Sequence, residues 1–258
     1  MPDMKELAKR ARKRLLQMHF EAGVGHIGGN LSALDVMLVL HHQVMRPEDV
    51  FVLAKGHAAG ALYATLWTQG KLTDEDLSTF HKDGTYLAGH PAMRWSPDIP
   101  FATGSLGHGL SDAAGMALGY KLQGLDRHVY CLTSDGEWQE GSNWEALIFA
   151  VQNNLTNLTI VIDENHLQGF GSTADIASVM PLKCKLDGFG AWVEQVNGHD
   201  YEALRHALQV KSMYQVRLLL LSTVKGRGVS FMENQMEWHY LPLNLEQYQL
   251  ALQDVEKL

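Results

Sequence analysis

Cysteine is nearly absent, with two residues in 258, Cys131 and Cys184. Neither has a second cysteine nearby, so the chain carries no disulfide framework and no paired-thiolate zinc spacing, and a reducing cytoplasm is the expected setting. Both read as buried or incidental thiols. Basic residues are also scarce: 21 Lys and Arg stand against 29 Asp and Glu, for a net charge of −8. That balance excludes recognition of nucleic acid through bulk positive charge. Any anionic ligand must therefore be met by cations placed locally. No apolar run approaches the roughly 20 residues that span a bilayer. The N-terminus mixes Asp3 and Glu6 with its basic residues and lacks the apolar core of a secretory signal. There is no internal repeat, low-complexity tract or linker.

What is present reads as one domain over residues 1–258, 46% hydrophobic and 19% charged. Short apolar runs alternate with helical patterns, the rhythm of an α/β fold: a doubly wound, mainly parallel sheet with helices on both faces. The spacing predicts a helix over 3–22 stopped by Gly23, a glycine-rich loop over 23–32, and a helix capped by Ser32 running to about Met45. A strand over 50–53 precedes helices at 58–69 and, behind an acidic first turn, after Thr73. A helix over 110–122 leads to strands at 129–133 and 158–162. Further on come a helix over 178–186, a strand over 191–196, a helix over 201–209 capped by Asp200, and a strand over 216–221. Residues 225–243 form a long loop region, of the kind that is usually functional in a small domain. Residues 244–258 hold a terminal helix.

The chemistry gathers where two apolar strands end. Val129 to Thr133 is followed by Ser134-Asp135-Gly136, and Leu158 to Ile162 by Asp163-Glu164-Asn165, one helix and one return strand later. Open α/β sheets bind ligands at that carboxyl edge, and Gly136 opens main-chain N–H groups to a phosphate. Asp135 and Asn165 offer hard oxygen ligands suited to Mg2+ or Ca2+, with phosphate and water completing the shell. Taken singly, Asp135 also suits a helix N-cap and Asn165 a turn. Histidines stand in four loops: His26 between glycines, His57 in Lys55-Gly-His57, His90 before Pro91, and His239 after Trp238. Imidazoles suit both proton transfer and phosphate contact.

Asp135 and Asn165 at this spacing resemble the thiamin diphosphate fingerprint, with Ser134 in place of its first glycine. The segment Asp135-Gly-Glu-Trp-Gln-Glu-Gly-Ser-Asn-Trp-Glu145 resembles transketolase. So do Gly25-His26, with Ile27 in place of proline, Lys55-Gly-His57, Thr103-Gly-Ser-Leu-Gly107 and Trp238-His239. The resemblance implies thiamin diphosphate with Mg2+, for which Ca2+ or Mn2+ can substitute. Its metal ligands would be Asp135, Asn165 and the Leu167 carbonyl. Its cofactor contacts would be His57, Gly104, Leu106, Asp135, Gly136, Glu137, Asn165 and His239. It casts His26, His90 and His239 as catalytic and puts Glu140 and Glu145 at an interface between subunits. His108 receives no role.

The same resemblance implies half an enzyme, because the glutamate that activates the aminopyrimidine belongs to a second domain. A C-terminal partner with the pyrimidine-binding half would complete an α2β2 complex. That complex would move a two-carbon ketol unit from a ketose or ketose phosphate to an aldose or aldose phosphate. Two neighbouring readings stay open: a different thiamin diphosphate enzyme acting on C–C bonds, and a non-catalytic paralogue. A nicotinamide site at Gly169-Phe-Gly171 fits poorly, since the glycines do not follow a strand directly and no immediate helix is expected.

Overall fold

The computed structural model describes residues 3–93 and 96–258. In chain order the strands are Val50–Leu53 (β1), Val129–Ser134 (β2), Leu158–Glu164 (β3), the short pair Leu167–Gln168 (β4) and Gly171–Ser172 (β5), Trp192–Asn197 (β6) and Arg217–Ser222 (β7). Five of them form one sheet in the order β1-β2-β3-β7-β6, every pair parallel, while β4 and β5 make a separate antiparallel hairpin. The helices are Met4–Ala22 (α1), Ile27–Val39 (α2), Ala59–Thr68 (α3), Asp74–Leu77 (α4), Gly109–Leu122 (α5), Gly141–Gln152 (α6), Thr173–Ala177 (α7), Leu182–Gly188 (α8), Tyr201–Gln209 (α9) and Leu245–Glu256 (α10). None is long and apolar enough to cross a membrane among the described residues.

Two apolar cores, one on each face of the sheet, explain why the strands read as unbroken apolar runs. Tyr130 and Leu132 of β2 point into the core shared with α1, α2, α3, α9 and α10. Val129 and Cys131 point into the other, against α5, α6 and α8. In the first layer, α1 starts where the Asp3 carboxylate accepts the Lys5 N–H and ends at Gly23 in the left-handed conformation, φ 63°. Between them Leu7, Ala8, Ala11, Leu15 and Met18 recur at helical spacing and are buried.

The structure corrects the sequence reading in several places. Helix α2 begins at Ile27, not Ser32, so most of the glycine-rich segment is helical, and a π-helical turn over Leu40–Val44 prolongs it. Gly28 and Gly29 serve close approach: a Cβ at Gly28 would lie 3.1 Å from Lys225 Cγ and one at Gly29 would lie 3.3 Å from His57 Cδ2. Strand β2 runs on through Ser134, and Ser134 needs no glycine-like conformation. The helix expected from Ser178 begins only at Leu182, because Pro181 disfavours helical geometry at Met180 before it. Gly169 and Gly171 belong to the β4–β5 hairpin, and the short α7 does follow, from Thr173. Gly169 is thus not the strand-to-helix turn that a dinucleotide site requires. Cys131 is buried as expected, but Cys184 is exposed.

Candidate active site

At the carboxyl edge of the sheet lies a cavity of about 240 Å3. Its floor is made by Ser134, Asp135 and Gly136 at the end of β2, Asn165 just after β3, and Leu167 and Gln168 of β4. Parallel pairing of Ser134 with Asp163 brings these two ends together. Asp135 is buried, and its Oδ1 accepts the Gly136 N–H at 2.7 Å while Oδ2 accepts the His166 N–H at 2.6 Å. Burial, then the nearby charge of Asp163, pushes the Asp135 carboxyl up to about 6. Asn165 is also buried, its Oδ1 accepting the Leu167 N–H at 3.1 Å. One carboxylate, one amide oxygen and one main-chain carbonyl thus stand at one strand-end corner.

The four loop histidines meet above this floor. His26 takes φ 66° at the entrance of α2 and is the hub: its ring centroid lies 5.2 Å from that of His239, 5.7 Å from His90 and 5.8 Å from His57. Main-chain bonding fixes two of these loops to each other, since the His26 N–H donates to the His239 carbonyl at 2.9 Å. Burial, then His90, brings His26 down to about 4, and burial with the Lys225 charge brings His239 down to about 3. Burial and Lys55 hold His57 well below the ordinary range, and burial lowers His90. In all four imidazoles burial thus favours the neutral form.

Sequence reasoning missed the cations. Lys55 is fully buried, paired to Asp163 Oδ2, and donates to the Gly29 carbonyl at 3.0 Å. Ser32 Oγ donates to the same Asp163 oxygen at 2.6 Å, and the Thr223 hydroxyl donates to the other. Burial alone would raise Asp163, but Lys55 holds it below its ordinary value. Lys225 reaches the Leu167 carbonyl at 3.4 Å and His239 Nδ1 at 3.2 Å. Burial, then the Lys55 charge, lowers its ammonium to about 8. Lys225, which lines the cavity, is local compensation of the kind that a chain of net charge −8 needs beside an anion, whereas Lys55 neutralises Asp163 beneath it. A usable signal existed: each lysine precedes a glycine just beyond a strand end.

Other expected site residues fall into place around this centre. Gly104 and Leu106 line the cavity, and Gly104 adopts φ 145°, which side-chain-bearing residues rarely take, with His90 Cδ2 only 3.0 Å from where a Cβ would stand. Glu137 does not line it. Its buried carboxylate instead accepts the Gly107 N–H at 2.9 Å and the Ser134 N–H at 3.3 Å, tying the Gly104–Gly107 loop to the end of β2. Burial pushes that carboxyl up to about 7. Glu140 and Glu145 are exposed, beside exposed Ile148 and Phe149 on α6. His108 is exposed and does not line the cavity.

The donor set fits a diphosphate with a divalent cation. Hard oxygens stand beside the Lys225 ammonium, and Gln168 Nε2, on the wall, is buried with no hydrogen-bond partner among the described residues. A parallel α/β sheet with carboxylate and amide oxygens and imidazoles at its carboxyl edge defines the class: a domain for a phosphorylated cofactor.

Residues 5–254 match the model of the transketolase thiamine diphosphate binding domain, and the chain belongs to the transketolase family. It is 34% identical over 265 residues to an apulose-4-phosphate transketolase subunit of Actinobacillus succinogenes, covering 98% of this chain and 96% of that one. It is 36% identical over 266 residues to the 6-deoxy-6-sulfo-D-fructose transketolase subunit SqwG of a Clostridium species, covering 99% and 97%. Transketolase from Campylobacter jejuni superposes with a TM-score of 0.92 at 29% identity, over 99% of this chain and 43% of that one. The chain thus corresponds to the diphosphate-binding part of full-length transketolases, about two-fifths of their length, and to nearly the whole of the two separate subunits.

Proposed function

We propose that this chain is the diphosphate-binding subunit of a split transketolase. With a C-terminal partner it moves a two-carbon ketol unit from a ketose donor to an aldose acceptor. The observation that carries this reading is the convergence of Asp135, Asn165 and the Leu167 carbonyl with four imidazoles at one sheet edge. Asp135, Asn165 and Leu167 would hold Mg2+, or Ca2+ or Mn2+ in its place. His57, Gly136, Asn165 and His239 would face the diphosphate of thiamin diphosphate, and the backbone at Gly104 and Leu106 its aminopyrimidine. When bound, the cofactor supplies a carbanion able to cleave and re-form the bond beside a ketose carbonyl.

The chain's own residues bind and move protons. Neutral His26 and His90 accept or return protons at substrate hydroxyls. Lys225 donates to His239 Nδ1, which leaves the proton of that ring on Nε2. The relatives' names specify a sugar phosphate and a sulfo sugar, so a ketose with an anionic far end suits this site as donor. Two such chains with two partner chains complete the enzyme, and Glu140, at the N-cap of α6, and Glu145, within it, would meet a neighbouring chain. The cytoplasm is its setting.

Calorimetric titration of thiamin diphosphate with Mg2+ into the chain mixed with its C-terminal partner tests this reading, with the chain alone as control. Saturable binding is expected in the mixture only. A mixture that assembles yet takes up no cofactor overturns the reading.

A further inference from the structure

Ser134 stands where the thiamin diphosphate fingerprint has a glycine, and in this chain it is an ordinary strand residue. Side chains alternate along a strand. Thr133 turns to the α6 side, where its hydroxyl accepts the Trp138 Nε1–H at 3.2 Å and donates to the Val161 carbonyl. Ser134 therefore faces the α2 side, and it lines the cavity with Gly29, His57 and Asp135. The residue is 7% exposed. Its main-chain N–H is bound by Glu137, yet its hydroxyl makes no hydrogen bond with any described residue. The nearby acceptors are already in use: Asp163 takes Lys55, Ser32 and Thr223, and Asp135 takes two main-chain N–H groups. A near-buried hydroxyl without a protein partner, turned into a ligand cavity, is a donor held for the ligand.

We infer that the Ser134 hydroxyl donates a hydrogen bond to a phosphoryl oxygen of the bound diphosphate, a contact that a glycine at this position cannot make. The inference rests on the thiamin diphosphate reading above. A diphosphate offers only acceptors, which suits a free donor such as this hydroxyl, and the floor formed by β2 puts Ser134 next to the proposed metal ligand Asp135. Ser134 is thus a cofactor-positioning residue particular to chains that carry it.

The test uses the chain assembled with its partner, Ser134→Ala and Ser134→Thr variants, and two probes at saturating Mg2+: thiamin diphosphate and inorganic diphosphate. Loss of a hydrogen bond to a charged group predicts about 10-fold weaker binding of both probes by Ser134→Ala. Ser134→Thr keeps the hydroxyl and is expected within about 3-fold of the wild type on the same scale. Unchanged inorganic diphosphate affinity in Ser134→Ala overturns the contact. So does a Ser134→Thr variant that assembles and melts like the wild type but loses as much affinity as Ser134→Ala. If the wild-type complex itself binds no thiamin diphosphate, it is the functional reading that falls, an outcome distinct from either of these.

Discussion

Both carboxylate oxygens of Asp135 are engaged by main-chain N–H groups before any ligand arrives, which fixes the carboxylate's direction. Removing it with Asp135→Ala is expected to weaken Mg2+-dependent cofactor binding by about 100-fold, the scale on which metal sites respond to loss of their supporting groups. The thermal midpoint should move by no more than about 3 °C, because the lost cap is set against relief of a carboxyl that burial disfavours. Titration calorimetry and a thermal melt on one sample separate the two effects, and equal cofactor affinity in the variant removes the metal assignment. At this scale the sequence exposes residues whose chemistry stands at strand ends. Asp135, Asn165 and the histidines are read that way. Lys225 and Asp163 are not, since their importance comes from partners far away in sequence, Leu167 and His239 for one, Lys55, Ser32 and Thr223 for the other.

Elements are positioned by contacts that allow no added bulk. Helix α5 begins at Gly109, where a Cβ would stand 2.6 Å from Ala54 Cβ and 2.7 Å from Ala54 Cα, at the end of β1. Gly109→Ala is expected to push α5 off the sheet, at a cost of roughly 2 kcal/mol, or about 5 °C in the thermal midpoint. Because the same helix follows the Gly104–Gly107 loop, cofactor affinity should fall with it. A variant that melts and binds like the wild type would show that α5 is free to shift. The strands are legible in the sequence because apolar residues fill both faces. Helix α2 is less so: Gly28 and Gly29 look like loop glycines, and only the nearness of Lys225 and His57 reveals that they are there for want of space.

Across the whole molecule, buried neutral histidines link stability to pH. Burial holds His19 and His41 down to about 4, against an ordinary value of 6.5. Between these values the unfolded chain binds the more protons, so stability is full above pH 6.5 and is lost as the pH falls toward 4. The thermal midpoint is expected to be at least about 10 °C lower at pH 4.5 than at pH 7.5. His41→Leu, which also removes a buried Nε2 without a hydrogen-bond partner among the described residues, should flatten that profile. Equal slopes in the two proteins would show that His41 does not carry the effect. The cavity, finally, takes its lining from both sides of the sheet: from α2 and the segment after β7 on one face, and from the Gly104–Gly107 loop tied by Glu137 to β2 on the other. A ligand there acts as a clip across two separately packed cores. Amide hydrogens in α2 and in α6, which share no core, should therefore slow their exchange together when the cavity fills, and a single occupied site would make two half-independent layers open as one.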